Sequence, residues 1–178
     1  MNKCRLLCTV LAVSAIGLAS ASANVIVSFE PSDSTIPTVG GSVVVDIVAD
    51  IPDISPVLGW GIDLTIADPA IASWSLLAIG PAWDPATAPD GDGLAGLVFP
   101  SGIWGQDLLL ATVEFTGLAE GTTMITLSDD NPDDLSEGFA LDPTGFADVD
   151  YCCGSITVLP EPASLALLAL GLVALRRR

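Results

Sequence analysis

"VLGWGIDLTI", from Val57 to Ile66, decides the fold class. Leu58, Trp60, Ile62, Leu64 and Ile66 recur at every second position, with Val57, Gly59, Gly61, Asp63 and Thr65 between them. A period of two puts the first set on one face of an extended chain and the second on the other, the pattern of a half-buried antiparallel strand. "SVVVDIVADI", Ser42 to Ile51, repeats it: Val43, Val45, Ile47, Ala49 and Ile51 share one face, and Asp46 and Asp50 mark the other. Outward from these two, further strands are predicted over residues 24–30, 74–79, 94–99, 108–116, 122–127, 146–151 and 154–158. "EPSDSTIPTVGG", "PATAPDGDG", "SDDNPDD" and "LDPTG" separate them with the Pro, Gly and Asp clusters of turns. "ADPAIAS" has the composition for one helical turn and nothing else reads as helix. About nine strands at irregular spacing, without a repeat, predict an all-β chain folded as an antiparallel β-sandwich.

The two ends read differently. Lys3 and Arg5, the apolar run from Leu6 to Leu18 and the small residues Ala21-Ser22-Ala23 form the three parts of a secretory signal peptide over residues 1–23. Cys4 and Cys8 lie too early for a lipoprotein box and leave with that peptide. At the other end Ala163 to Leu175 is an apolar run rich in Leu and Ala, good helix formers, followed by Arg176, Arg177 and Arg178. As a helix the run reaches only ~20 Å against a hydrocarbon core of ~30 Å. The arginines extend it by snorkelling and hold that end in the cytoplasm. This is a short stop-transfer segment, suited to a transient anchor, with a weak permanent anchor as the alternative. Residues 24–158 are then the exported domain and 159–178 the C-terminal signal.

Composition narrows what that domain can do. The five basic residues are Lys3, Arg5 and the three terminal arginines, and the chain has no histidine. Of the 22 acids only Glu161 lies beyond residue 160, so Asn24 to Pro160 holds 21 acids and no cation, and the overall charge of −17 understates its acidity. This balance argues against nucleic acid as a ligand and disfavours anionic lipid, because both are gripped by Lys and Arg. No Ser-His or Cys-His pair, lysine base or imidazole metal site can form. Carboxylate chemistry such as a glycosidase acid/base pair survives, but among so many acids some pair always looks suitable. Half the residues are hydrophobic and they alternate, so the chain has the material for one folded core and is not disordered for want of it.

Two resemblances follow from these residues. Val158-Leu159-Pro160-Glu161-Pro162, the apolar run and the three arginines closely resemble the PEP-CTERM sorting signal, with Pro160, Glu161 and Pro162 as its motif. The resemblance implies processing by an exosortase of Gram-negative bacteria that make exopolysaccharide, and a membrane helix before processing. "SVVVDIVADIP", "GWGIDLTIADPAIASWSLLAIG" and "LLLATVEFTGLAEGTTMITL" resemble strand units of the cohesin family, jelly-roll sandwiches that receive dockerins and are related to carbohydrate-binding modules. That likeness implies a cohesin-like jelly roll and a polysaccharide or dockerin-like protein as ligand. The function expected is a non-catalytic, exported binding or matrix module. A small carboxylate glycosidase and a purely structural surface coat are the alternatives.

Candidate residues remain. Trp60 and Trp74 belong to strand faces and are read as core. Trp83 in "GPAWDP" and Trp104 in "SGIWGQ" lie in turn-like sequence, where an indole either plugs a loop onto the core or stacks on a sugar. Both are sugar-binding candidates, with Asp84, Asp90, Asp92 and Gln106 as polar neighbours. Asp129, Asp130, Asn131, Asp133, Asp134 and Glu137 crowd one loop, and Asp90 and Asp92 another. Such oxygen clusters either form a solvated acidic surface or bind Ca²⁺, the one cofactor the composition points to, although neither has EF-hand spacing. Cys152 and Cys153 are adjacent, with Cα atoms about 3.8 Å apart, too close for an internal bridge. They are two small apolar residues near a strand turn or supply one exposed thiol able to cross-link chains after export.

Overall fold

A computed structural model describes residues 24–86, 93–130 and 137–161. The signal peptide, the apolar run and the arginine tail lie outside the described residues. Among those described, no helix is long and apolar enough to cross a membrane.

Thirteen strands appear among the described residues. They are β1 (Val25–Glu30), β2 (Asp33–Ile36), β3 (Ser42–Ile51), β4 (Val57–Gly61), β5 (Asp63–Ile66), β6 (Ala72–Ile79), β7 (Asp84–Pro85), β8 (Ala95–Leu97), β9 (Gly105–Gly117), β10 (Gly121–Ser128), β11 (Gly138–Leu141), β12 (Val149–Tyr151) and β13 (Gly154–Val158). One layer is a five-stranded sheet in the order β12-β1-β3-β9-β6. Two four-stranded sheets, β2-β13-β10-β5 and β11-β4-β8-β7, make up the other. A single apolar cluster runs between them, with Val45, Ile47, Phe115 and Val113 from the first layer, Ile36, Ile125 and Ile156 from the second sheet, and Trp60 and Phe139 from the third. The all-β sandwich read from the sequence is the fold observed.

Val57–Ile66 is not one strand: it breaks at Ile62, and its halves join different sheets. β4 pairs with β8 and β11, whereas β5 pairs with β10. Alternation survives in β5, but in β4 Val57, Gly59, Trp60 and Gly61 are all buried. The glycines offer no side chain to the outer face, so apolar periodicity counted a central strand as half-exposed.

The pairing is also not wholly antiparallel. β1 runs parallel to β12, and β2 parallel to β13. The connections Pro31–Ser32 and Cys152–Cys153 both carry the chain from the first layer to the second, and they cross side by side. Cys152 N donates to Val27 O at 2.8 Å and Ser155 N to Ser32 O at 2.9 Å. β2 lies in a stretch that reads as a turn and β7 in turn-like sequence, while β11 falls between two turn stretches where the sequence predicts no strand. In β2 the buried faces are Ser34 and Ile36, too weak an apolar signal to stand out. The expected helical turn at 67–73 is a hydrogen-bonded turn closed by Ile71 N to Asp68 O, with Ala70 N donating to the Asp68 carboxylate.

Candidate functional site

The long strand β3 sets the axis of the molecule. Its ten residues extend roughly 30 Å at 3.3 Å per residue. Ser42 pairs with Thr116 at one end and Ile51 with Gly105 at the other. Two exposed aromatic residues, Phe99 and Trp104, gather at the second end.

There the turn between β3 and β4 lies against the segment leading into β9. Val57 and Ile103 exchange two backbone hydrogen bonds, of 2.9 and 3.0 Å. Asp142 ties in a third segment: its N–H donates to Pro56 O at 2.9 Å and its carboxylate accepts from Gly102 N at 3.3 Å. On this frame stand Ile54 (70% exposed), Phe99 (73%) and Trp104 (58%), with Leu97 nearby on β8. So much apolar surface is not normally left bare at one end of a domain without use.

The backbone beside Trp104 is held in an unusual form. Asp107 has φ 51°, the left-handed region, and its N–H donates to the Asp50 carboxylate at 2.9 Å. A non-glycine residue there costs roughly 1–2 kcal/mol, which the Asp50 acceptor helps to offset. The β3–β9 register shifts at the same place, between Ala49 and Ile51. Bulges of this kind re-aim neighbouring side chains. Asp50, Asp53, Asp107 and Asp142 surround the aromatic end with carboxylates, and no cation lies between Asn24 and Pro160. An aromatic face flanked by carboxylate acceptors suits a sugar ring or a cationic group.

Trp83 does not join Trp104. It is 4% exposed, its Nε1 donates to Leu109 O at 3.1 Å, and its ring meets Trp60 edge-on at 6.2 Å and 84°. The reading of Trp83 as a sugar platform is therefore corrected: it plugs its loop onto the core. Asp84 follows it on β7, opposite Leu97, and Gln106 is exposed two residues beyond Trp104. Trp60 is buried as read, and Trp74 is half-buried against the core. Phe99 and Ile54 do not stand out in the sequence as site residues; a large apolar residue beside Pro or Asp was the available signal.

The acidic loops are only partly in view. Asp90, Asp92, Asn131, Asp133 and Asp134 lie outside the described residues. Asp129 is half-buried, Asp130 exposed and Glu137 buried. Among the described residues no three metal-ligating side chains converge. Tyr151 stands in this corner. Its hydroxyl is buried without a well-formed hydrogen bond, yet Asp129 is near enough to act on it. Burial first, then the Asp129 carboxylate and Glu137, hold it protonated well above the ordinary tyrosine range.

At the opposite end the chain leaves the domain. β13 ends at Val158, Leu159 N donates to Ile36 O at 2.9 Å, and Pro160 and Glu161 are exposed beyond it. Pro162 lies outside the described residues. Cys153 is exposed and free.

Residues 158–178 match a family model described as the PEP-CTERM protein-sorting motif. No curated relative matches the chain. Among solved structures, the cohesin module of a family 33 glycoside hydrolase from Clostridium perfringens is 9% identical, with TM-score 0.53 over 78% of this chain and 98% of that one. A non-cellulosomal cohesin from the archaeon Archaeoglobus fulgidus is 13% identical, with TM-score 0.51 over 80% and 95%. Domains 4 and 5 of the S-layer protein SbsC align at TM-score 0.40 and 14% identity over 75% of this chain, which spans half the length of that fragment. The chain thus joins a cohesin-like β-sandwich to a PEP-CTERM protein-sorting motif, which marks it for export and surface anchoring through exosortase processing.

Proposed function

We propose that the sandwich is a non-catalytic binding module of the cell surface or extracellular matrix, whose ligand is a neutral or cationic polysaccharide or a dockerin-like protein partner. The observation that carries this is the exposed aromatic end formed by Trp104, Phe99 and Ile54, set among carboxylates on a domain without a single cation. A polymer bearing carboxylate or sulfate finds no charged donor there except through a bridging calcium. The acidic stretch from Asp129 to Glu137 is assigned to Ca²⁺ in the same reading, since clustered oxygens without counter-charge are what a hard cation takes.

The test is binding of residues 24–158 to arrayed neutral, cationic and acidic polysaccharides, with and without chelator. Trp104→Ala is expected to weaken binding to the preferred glycan by roughly tenfold or more, the usual loss on truncating an aromatic anchor. Undiminished neutral-glycan binding by the Trp104→Ala Phe99→Ala double variant would remove the aromatic platform. Chelator-resistant capture of an acidic polymer would remove the charge argument. The glycosidase alternative predicts new reducing ends on the bound polymer, which the binding reading does not.

A further inference from the structure

The end from which the sorting segment leaves carries its own apolar surface. Val39, Leu118 and Leu159 are 40%, 48% and 43% exposed there. Val39 stands in the β2–β3 loop and Leu118 in the β9–β10 loop, and both loops are fastened beside the exit. Gly40 N donates to Gly117 O at 2.8 Å and Gly117 N to Gly41 O at 3.0 Å. Leu118 N donates to Ile71 O at 2.8 Å, and Gly121, just past that loop, pairs with Val158. The three side chains therefore belong to one braced tip.

We propose that this tip rests on the lipid surface while the chain is tethered, with Val39, Leu118 and Leu159 in the membrane interface. The occupant follows from chain length. From Leu159 to Ala163, where the apolar run begins, four residues can span at most about 14 Å. The tip is thus held within a side chain or two of the bilayer whatever its orientation. Three aliphatic side chains bind a membrane weakly by themselves, but the tether makes the contact intramolecular, so a weak preference suffices. Charge selects the lipid: Asp68 and Glu120 are exposed at this end and no cation accompanies them, so zwitterionic headgroups are accepted and anionic ones repelled. The consequence is orientation. Resting on this tip, the sandwich stands upright and displays Trp104 and Phe99 roughly 30 Å from the membrane. This rests on the sorting motif and is independent of what the aromatic end binds.

The test uses the chain from Asn24 to Arg178 in zwitterionic phosphatidylcholine vesicles, with nitroxide labels at L118C, V39C or F99C in a Cys152→Ser Cys153→Ser background. The labelled sites are exposed, so the core is left intact. Accessibility to oxygen relative to a water-soluble nickel complex should rise severalfold at 118 and 39 over the values in the soluble domain, and stay unchanged at 99. Adding anionic lipid at low salt should reduce the contact, and salt should restore it. Water-like accessibility at 118 and 39 in chains that float with the vesicles overturns the proposal. So does failure of the chain to float, or spin–spin broadening between labels on separate chains, which would place a second copy on the tip.

Discussion

Trp83 and Trp104 occupy similar local sequence and have opposite fates, and the difference comes down to single atoms. Gly96 lies under the Trp60–Trp83 pair: a Cβ there would stand 2.7 Å from Trp60 Nε1 and 2.9 Å from Trp83 Cβ. Neither ring can retreat, because both are buried and Trp83 is bonded to Leu109 O. Gly96→Ala should therefore cost about 1–3 kcal/mol, the range for overpacking a filled core, read as a lower urea midpoint at unchanged slope. A stability equal to wild type would mean the pair is loosely packed. Tyr151 supplies a second residue-scale test, since it is the one tyrosine of the chain. Its folded-state pKa is raised above the ordinary 10.0. Below that value both folded and unfolded chains keep the proton and no stability changes. Above it the unfolded chain ionises while the folded one does not, so stability falls as pH rises. Absorbance at 295 nm should show no tyrosinate in the folded protein at pH values where the urea-unfolded chain has titrated, and Tyr151→Phe should flatten the alkaline loss.

At the scale of elements, strands were legible wherever one face is apolar and the other polar. β3 and β13 appear with the predicted bounds, and β9 and β10 extend theirs by one to three residues at either end. What failed was the element that changes partners. The break at Ile62 has no local mark, because Ile62 is itself buried and apolar on either reading. β2 and β11 escaped for the opposite reason, being short segments set among turn residues. The acidic element between β10 and β11 yields the third prediction. Its carboxylates repel one another without counter-charge, and a bound divalent ion adds RT ln(1 + [L]/Kd), about 2.7 kcal/mol at a hundredfold excess over Kd. Melting curves in calcium and in chelator, at equal high ionic strength to match screening, should separate, and Asp129→Asn should narrow the gap. Superimposed curves would return the loop to a solvated acidic surface.

For the whole molecule, the export and sorting signals make a prediction about mass. Protein recovered from the cell surface should begin at Asn24 and lack Arg176–Arg178; retention of the arginines in most molecules would indicate a permanent anchor. With them gone, the mature chain carries no basic side chain, and its surface is one sign of charge throughout. The sandwich also separates its duties along β3, with exit at the Ser42 end and exposed aromatics at the Ile51 end. None of that separation is visible in the chain order, where Leu118 and Trp104 are near neighbours. The sequence alone determined the destination, the all-β class, the acidity and the loss of histidine chemistry, because targeting segments, periodicity and composition are properties of contiguous residues. Tertiary structure alone decided which tryptophan is bare, where a strand changes sheets and which loops share an end. Those depend on what packs against a residue from far along the chain: Trp83 is buried by a carbonyl 26 positions away, and no window around Trp83 contains it.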